Sequence, residues 1–396
     1  MSQFNVLSVG DWLRGNNVPF SGNVTSTRAE LQATETALLE RFPEFPFALD
    51  RPPYKRYGYI MNDLVATRYA ASMQALDLGF RARLTNSGMA AIDTAVRVAV
   101  GRIAKKTPDG ARIVHASELY PETPKLLEEY ATMTNGACLK FSGGELWADE
   151  PRSDGDLFFM ETVGNHPRMP VQNLEQMLRR FWNYNGTVIL DNTIPSYLRL
   201  NPFTIYGQLR ETLGDPKMSM VVIESLTKYY RPRPESQITA GIIVAPESFI
   251  DECDAVIART GAYLPFGCLE KLPWGAAEAL KMTVAPSSLA ASKVAGWLEQ
   301  AIDIEWVSYP RQHDFPAGAG SMLYFVPKES ITAGMVKSFG ACMGSFGHAK
   351  TTWMPWGQLV PGDYPESTIR LSCGWGDSST SIIQGVADAL NTVPVS

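Results

Sequence analysis

Short apolar runs with strand character alternate with helical stretches from about residue 54 onward. The predicted strands span residues 82–86, 111–116, 156–161, 187–192, 220–225 and 240–245. The predicted helices between them span about 88–104, 121–133 and 171–184. Strands that alternate with helices indicate a mostly parallel, doubly wound α/β sheet. Ligands of such sheets bind beyond the carboxyl ends of the strands, so polar residues at those ends are the candidate site residues.

The pattern changes at both ends of the chain. Residues 1–24 are rich in Gly, Asn, Ser and Pro and predict an arm rather than a packed element, followed by a helix from about Arg28 to Arg41. A long helical region at about 273–303 leads into a smaller α+β layer. The predicted strands and helices of that layer lie at 321–327, 368–373, 331–341 and 378–391. The predicted domains are an N-terminal arm and helix at 1–53, a large domain at 54–260 and a small C-terminal domain at 261–396.

The composition argues against several classes of protein. The chain has 396 residues and a net charge of -6, which is not the electrostatic footprint of a nucleic-acid-binding protein. Five Cys without a Cys-x-x-Cys pair and four scattered His argue against a disulfide framework and a metal site. The N-terminus lacks the pattern of a signal peptide, and no run of about 18 apolar residues could cross a membrane. We therefore expect a soluble, cytoplasmic protein without nucleic-acid, membrane or metal partners.

Three groups of polar residues follow the predicted strands. Asp191 ends one strand, and by itself it could be a helix cap, a metal ligand or the partner of a buried cation. Ser225, Thr227 and Lys228 follow the next strand, where two hydroxyls suit a phosphate and an amine suits an aldehyde. The turn at 86–89 leads into a helix whose N-terminal amides also suit a phosphate. A phosphate cradle, a reactive amine and a carboxylate together are what pyridoxal phosphate requires.

At this point the chain resembles the Cys/Met-metabolism family of pyridoxal-phosphate enzymes, which includes cystathionine γ-synthase, cystathionine γ-lyase and methionine γ-lyase. Seven motifs resemble the family's in the same order. They are Tyr54-Lys-Arg56, Ser87-Gly-Met-Ala-Ala91, Leu119-Tyr-x-x-Thr123, Glu161-Thr-x-x-Asn165, Asp191-Asn-Thr193, Ser225-x-Thr-Lys-Tyr229 and Arg370-Leu-Ser-x-Gly374. The resemblance implies the aspartate-aminotransferase-like fold, known as fold type I, with pyridoxal 5'-phosphate as the cofactor.

The resemblance also implies a set of cofactor-binding residues. They are Tyr54, Arg56, Gly88, Met89, Tyr120, Asn165, Asp191, Thr193, Ser225, Thr227 and Lys228. Lys228 would hold the cofactor as a Schiff base and move protons, and Tyr120 would stack on the ring and serve as a general acid. Asp191 would face the pyridine nitrogen and Asn165 the phenolic oxygen. The amides of Gly88 and Met89 would bind the phosphate.

Two further implications concern the substrate and the assembly. Arg370 and Ser345 would bind the α-carboxylate of an amino acid, for which a planar guanidinium is well suited. Tyr54 and Arg56 would reach the cofactor phosphate of a neighbouring subunit. We therefore expect active sites shared across a dimer, in a homotetramer built from two dimers.

The chain departs from the family pattern in several places. The segment Tyr230 to Gln237 replaces the loop that usually follows the lysine, so Arg231 and Arg233 belong either to a loop beside the cofactor or to a solvated rim. Lys350 stands where many relatives have a Glu facing the distal end of the substrate. A Lys there opposes a cationic distal group, which predicts poor activity on cystathionine, unless Lys350 points to solvent. Trp353 and Trp356 belong either to the core or interface, or to an altered pocket.

The predicted function is γ-elimination or γ-replacement on a γ-substituted L-amino acid, in specialised biosynthesis. The products would be an oxo acid, a substituted amino acid or an unsaturated amino acid. The alternative is β-elimination or β-replacement on a cysteine-like amino acid. The motifs of Tyr120 and Arg370 disfavour a transaminase or decarboxylase, and the joint presence of Lys228, Asp191 and Arg370 disfavours a non-catalytic binding protein. A dehydrogenase is disfavoured because the dinucleotide glycine fingerprint is missing.

Overall fold

A computed structural model describes residues 7–16, 59–107, 110–141, 156–231, 238–310, 318–360, 362 and 364–390. Its helices are α1 Val9–Gly15, α2 Tyr59–Ser72, α3 Gly88–Ala104, α4 Glu122–Met133, α5 Leu174–Phe181, α6 Ser196–Arg199, α7 Pro202–Leu213, α8 Glu247–Thr260, α9 Phe266–Leu269, α10 Ala276–Leu298, α11 Thr332–Phe339, α12 Trp356–Leu359 and α13 Ser379–Leu390. Its strands are β1 Phe80–Thr85, β2 Arg112–Ala116, β3 Ala137–Phe141, β4 Asp156–Glu161, β5 Thr187–Asp191, β6 Ser219–Ser225, β7 Gly241–Pro246, β8 Ile304–Ser308, β9 Met322–Pro327, β10 Thr352–Met354 and β11 Ile369–Ser372. The predicted helix from Arg28 to Arg41, and the predicted site residues Tyr54 and Arg56, lie outside the described residues.

Seven strands form one large sheet in the order β1-β7-β6-β5-β4-β2-β3. The pairs β2 with β3, β2 with β4 and β4 with β5 are parallel, whereas β7 runs antiparallel to both β1 and β6. All six residues of β4 are buried, as are the five central residues of β6. Strands covered on both faces need apolar side chains on both faces, so they read as continuous apolar runs. The prediction of a mostly parallel α/β sheet is confirmed.

The chain divides into two compact units. The first contains Met1–Val98 and Met220–Ala279, and the second contains Ala99–Ser219 and Leu280–Ser396. In the first unit, α2 and α8 pack against β1, and α8 also packs against β7. In the second unit, α4 packs against β2 and β3, and α5 packs against α7. The domain boundaries predicted at 53/54 and 260/261 stay a prediction.

The second unit also contains a four-stranded sheet in the order β10-β11-β9-β8, in which neighbouring strands pair antiparallel. Its apolar core joins side chains from this sheet to α10, α11 and α13, with Trp353 and Phe325 among the largest members. Helices α11 and α13 pack against each other beside the sheet. The predicted α+β layer near the C-terminus is therefore confirmed.

The expectation that residues 1–24 contain no packed element is wrong for residues 9–15. Helix α1 begins after Ser8, whose hydroxyl accepts from the Asp11 amide while the Asp11 carboxylate accepts from Ser8. This reciprocal capping box satisfies amides that would otherwise lack partners. The Trp12 ring then stacks on Trp274, with 3.9 Å between the ring centroids. A local cap and one aromatic contact thus outweigh the surrounding Gly and Asn residues.

Among the described residues, no helix is long and apolar enough to span a membrane. In the same part of the chain, no cluster of three or more His, Cys, Asp and Glu side chains could hold a metal ion.

Candidate active site

Lys228 lies in a tight turn directly after the buried strand β6. Its backbone amide donates to the Ser225 carbonyl oxygen at 3.4 Å, and the residue is half-buried. The Thr227 hydroxyl lies 3.3 Å from the Ala240 carbonyl oxygen and 3.2 Å from the Ala240 amide nitrogen. This double contact ties the lysine turn to the residue before β7. The structure therefore presents Lys228 on a supported turn at the carboxyl end of a central strand.

Ser225 faces the N-terminus of α3. A Cβ atom added at Gly88 would lie 2.7 Å from the Ser225 Cβ and 2.9 Å from its Oγ. Only glycine therefore permits this approach between the end of β6 and the start of the helix. The Ser87 hydroxyl caps α3 by accepting from the Ala90 amide at 3.0 Å. Helix N-terminal amides beside a serine hydroxyl form a suitable cradle for a phosphate. Met89, the second predicted phosphate-binding residue, is half-buried at the same helix end.

The start of the divergent loop is anchored rather than fully solvated. The Tyr230 hydroxyl donates to the buried Glu224 carboxylate at 2.6 Å. Arg231 Nε donates to the Thr227 carbonyl oxygen at 2.9 Å, and burial lowers the pKa of its guanidinium. Arg231 therefore stabilises the turn that carries Lys228 through its hydrogen bond to the Thr227 carbonyl oxygen. Arg233 lies outside the described residues.

Asp191 ends β5 in the second unit. Its Oδ1 accepts from the Thr193 amide at 2.9 Å and from the Thr193 hydroxyl at 2.5 Å. These two donors hold the carboxylate at the carboxyl end of the strand and stabilise its charged form. Thr193, predicted as a cofactor-binding residue, thus acts here on Asp191.

Glu161 is a functional candidate that the sequence motifs contained without a role. It ends β4 directly opposite Asp191 in the parallel register of β4 and β5. Its Oε1 accepts from the Tyr120 amide at 2.5 Å and its Oε2 from the Asn165 amide at 2.7 Å. One buried carboxylate therefore holds both the residue predicted to stack on the cofactor and the residue predicted to face its phenolic oxygen. The signal in the sequence was a single charged residue at the end of the apolar run 156–161.

The two neighbouring carboxylates have different environments. Burial first, and then the negative charge of Asp191, raise the pKa of Glu161 well above its ordinary range, although the two amide donors oppose that shift. Like charges in a buried site cannot both ionise freely, so one carboxyl retains its proton to higher pH. Glu161 is that carboxyl. Asp191 is therefore the member of the pair that is better suited to carry the negative charge.

Arg370 lies on β11 and is 3% exposed. Among the described residues, its Nε and Nη2 are buried without a hydrogen-bond partner. The guanidinium also lies over the Trp356 ring, 4.9 Å from the centroid. A buried cation with two unsatisfied donor nitrogens is suited to a carboxylate, which can accept both bonds. Trp356 thus belongs to the surroundings of this cation, whereas Trp353 belongs to the apolar core of the unit.

The remaining predicted residues lie nearer the surface of the described chain. Tyr120 is 39% exposed. Ser345 is half-buried, and its carbonyl oxygen accepts from the Thr352 hydroxyl at 3.1 Å. The Lys350 side chain is 88% exposed and lies 3.5 Å from Asp377. The roles of these three residues stay predictions.

The predicted site residues therefore form two groups, one in each unit. In the first unit Gly88 and Ser225 are in contact, and Lys228 follows on the same turn. In the second unit Glu161 joins Tyr120 to Asn165 and lies beside Asp191. Sequence separation hides this second group, because its members are joined only by hydrogen bonds between strand ends and loops.

One known protein family matches the sequence of this chain. The sequence profile of the family described as Cys/Met metabolism PLP-dependent enzyme matches residues 48–339. The match covers most of the chain, so the protein belongs to this family of pyridoxal-phosphate-dependent enzymes. A comparison with curated proteins finds no match.

Solved structures show the same fold at low sequence identity. A Campylobacter jejuni protein assigned as an O-acetylhomoserine (thiol)-lyase, whose structure contains a pyridoxyl-lysine phosphate, has a TM-score of 0.70 at 17% identity over 95% of each chain. MetB from Corynebacterium glutamicum has a TM-score of 0.68 at 19% identity over 87% of this chain and 90% of that one. CalE6 from Micromonospora echinospora, described as a cystathionine γ-lyase, has a TM-score of 0.64 at 18% identity over 79% and 82%. These likenesses establish fold type I for this chain.

Each group of residues, taken by itself, fits one part of pyridoxal phosphate. In the first unit, a side chain at position 88 would fill the cradle between Ser225 and the helix N-terminus, so glycine keeps it open for a phosphate, and Lys228 supplies an amine on the turn that follows. In the second unit, Asp191 is a hydrogen-bonded carboxylate of the kind that suits a pyridine nitrogen.

Proposed function

We propose that this protein catalyses γ-elimination or γ-replacement on a γ-substituted L-α-amino acid, such as a homoserine ester or a thioether. The observation that carries the amino-acid substrate is the buried Arg370 guanidinium, with Nε and Nη2 unpartnered among the described residues. A bidentate pair with the substrate α-carboxylate would satisfy both nitrogens. Membership of the Cys/Met-metabolism family supports sulfur-type or ester-type leaving groups.

The chain's own residues would divide the chemistry between them. Pyridoxal phosphate, when bound, supplies an acceptor for the electrons of the substrate α-carbon. Arg370 would orient the substrate through its carboxylate, and the Lys228 amine would take the α-proton and return it to the product. The Asp191 carboxylate, held by two donors from Thr193, would keep a proton on the pyridine nitrogen.

Tyr120 would contribute its ring and its hydroxyl. Its backbone amide is fixed by Glu161, whereas its side chain is 39% exposed. An exposed aromatic ring on a fixed backbone is suited to stacking on a planar ligand, because little freedom is lost on binding. Its phenol would then donate a proton to the departing γ-group.

The covalent role of Lys228 can be tested on the purified protein. Reconstitution with pyridoxal phosphate, followed by borohydride reduction, should leave a pyridoxyl group on Lys228 that peptide mass spectrometry detects. Lys228→Ala should lose both the label and turnover. Lys271→Ala, at an exposed lysine of the same unit, is the matched control and should keep both. Normal turnover in Lys228→Ala would contradict the central assignment.

The position of the leaving group needs a separate measurement. Matched three-carbon and four-carbon amino acids that carry the same leaving group should be compared by product analysis. Faster release of products from the four-carbon series supports γ-chemistry. A preference for the three-carbon series would favour the alternative, β-elimination or β-replacement on a cysteine-like substrate. Added thiol nucleophiles would show whether the enzyme works as a transferase or as a lyase.

Discrimination against a cationic distal group is part of this proposal. We expect slower turnover of cystathionine than of homoserine esters, because Lys350 would repel the distal amine. Lys350→Glu should narrow that difference if the residue faces the substrate. Lys350 has an 88% exposed side chain 3.5 Å from Asp377, and if it points to solvent when substrate is bound, this substitution changes nothing and the proposed role of Lys350 fails.

The assembly and setting of the enzyme are also proposed. A homotetramer made of two dimers would let Tyr54 and Arg56 reach the neighbouring cofactor phosphate, and it would work in the cytoplasm in specialised biosynthesis. Sedimentation of the holoenzyme should give the mass of a tetramer. A fully active monomer would refute the shared-site arrangement.

A further inference from the structure

Tyr324 lies at the centre of the second unit's group of site residues. It belongs to β9 and is fully buried, and its ring meets the Trp356 ring edge-on with 5.3 Å between centroids. Its hydroxyl donates to the Asn165 Oδ1 at 3.0 Å. The positive charge of the Arg370 guanidinium acts on the same phenol and lowers its pKa, against the larger effect of burial. One phenol thus interacts with both the cation that suits a carboxylate and the amide that the motifs place near the cofactor.

The charge of Arg370 favours one direction for this hydrogen bond. A nearby cation repels the phenol proton and attracts the lone pairs of the phenol oxygen. The single phenol proton therefore goes to the Asn165 carbonyl oxygen, 3.0 Å away. With the amide reversed, its NH2 group would face the phenol oxygen, and the buried phenol proton would lose this acceptor. The Tyr324 phenol therefore donates to Asn165 and does not accept from it.

We propose that Tyr324 is a positioning residue that orients the Asn165 amide so that its NH2 group faces the phenolic oxygen of pyridoxal phosphate. The inference rests on the proposed function, because it assumes that Asn165 serves the cofactor. Burial raises the pKa of the Tyr324 phenol, so its proton stays in place throughout the neutral range. Glu161 fixes the backbone of the same asparagine. Backbone and side chain of Asn165 are thus held by different residues.

Tyr324→Phe removes the phenol oxygen and keeps the ring against Trp356. The Asn165 amide then loses the partner that sets its direction, and the cofactor's phenolic oxygen loses a steady donor. A donor stabilises an anionic oxygen, so its loss favours the protonated chromophore. We would record visible spectra of the holoenzyme from about pH 5 to about pH 10. At each pH the fraction of bound cofactor in its protonated form should be larger in the variant than in the wild type. This corresponds to a pH midpoint of the spectral transition that is higher by about 0.5 to 1 unit.

Two further variants separate positioning from a general structural effect. Asn165→Ala should shift the spectrum in the same direction, and the double variant should shift it no further than Asn165→Ala alone. Tyr309→Phe is the matched control, because it removes another buried phenol, whose oxygen lies 2.9 Å from both the Ser288 and the Gly320 carbonyl oxygen. Tyr309→Phe should leave the spectrum unchanged. If Tyr324→Phe does not fold, Tyr324→Met removes the same hydroxyl with a flexible side chain.

The outcomes are distinct. A spectrum of Tyr324→Phe that matches the wild type at every pH would overturn the proposal. The proposal also fails if the shifts of Tyr324→Phe and Asn165→Ala add in the double variant, or if Tyr309→Phe shifts the spectrum equally. In each of these cases the proposed function is still supported if borohydride leaves a pyridoxyl label on Lys228 of the wild type. A wild-type protein that takes up no pyridoxal phosphate would overturn both proposals.

Discussion

Replacing Glu161 by Gln should destabilise the protein by about 2 to 4 kcal/mol. The wild-type side chain is 4% exposed, and each of its oxygens accepts one backbone amide, from Tyr120 at 2.5 Å and from Asn165 at 2.7 Å. A carboxyl has acceptor lone pairs on both oxygens even when it is protonated, whereas a glutamine has one acceptor oxygen. In the variant, one amide therefore keeps its partner and the other faces an NH2 group. The cost combines one lost hydrogen bond with a buried pair of donors that no acceptor satisfies.

The pH dependence of this effect has a definite sign. Burial and Asp191 raise the pKa of Glu161 in the folded state above its value in the unfolded chain. The stability linked to that raised pKa is fully present below the unfolded value, and it is lost as the pH rises through the folded value. The glutamine of the variant does not titrate, so the variant does not lose this stability as the pH rises. The difference in stability between wild type and variant should therefore be largest in mild acid and shrink as the pH rises.

Urea unfolding at several pH values measures the difference in unfolding free energy between wild type and variant. If the unfolding free energy depends on urea concentration with the same slope in both proteins, the shift of the transition midpoint gives this difference. Glu175→Gln is the control, because that glutamate is exposed and pairs only with Arg179 on the helix surface among the described residues. The control should change stability by less than about 0.5 kcal/mol. An unaltered midpoint for Glu161→Gln in mild acid, or a difference that grows with pH, would refute the reasoning.

Two other predictions follow from local packing. Gly88→Ala should weaken pyridoxal-phosphate binding by about tenfold or more, because its Cβ would lie 2.7 Å from the Ser225 Cβ. Gly101→Ala is the control, because it lies in the same helix and its Cβ would have nothing within 4 Å. This variant should bind the cofactor normally and be more stable by up to about 1 kcal/mol. Cofactor titration would measure the binding of both variants, and thermal unfolding would measure their stability. Iodoacetamide at about pH 8 should label the exposed Cys342 before Cys138, since burial raises the pKa of the Cys138 thiol to about 11; equal rates would contradict this.

Local patterns were enough to predict most of the large sheet. The apolar runs of β4, β5 and β6 are continuous because both faces of these strands are covered, and that requirement is written in consecutive residues. Helix α5 was predicted at 171–184 and is confirmed in its central part, but it begins only after the Asn173 cap. Strands β3 and β8 were not predicted, because most of their residues are not buried and their sequences carry no continuous apolar run.

Only some residues of the candidate site could be predicted from the sequence. Lys228 and Asp191 could be selected from the sequence because they lie at or just after the ends of apolar strands, and Arg370 could be selected because its motif resembles the family's. Glu161 lies in a motif, yet its contacts with two separate loops could not be read from it. Tyr324 gives no signal at all, because a tyrosine within the apolar strand β9 reads as core.

The sequence by itself thus determined most strands of the large sheet, which family the chain resembles and which reactive groups it carries. The tertiary structure alone decided which groups meet. Tyr324 and Asn165 are 159 residues apart in the chain, and their hydrogen bond exists only because folding brings a strand of the small sheet to a loop of the large one. Hydrophobic periodicity is a local property and survives in the sequence, whereas the direction of a buried hydrogen bond depends on partners that folding alone assembles.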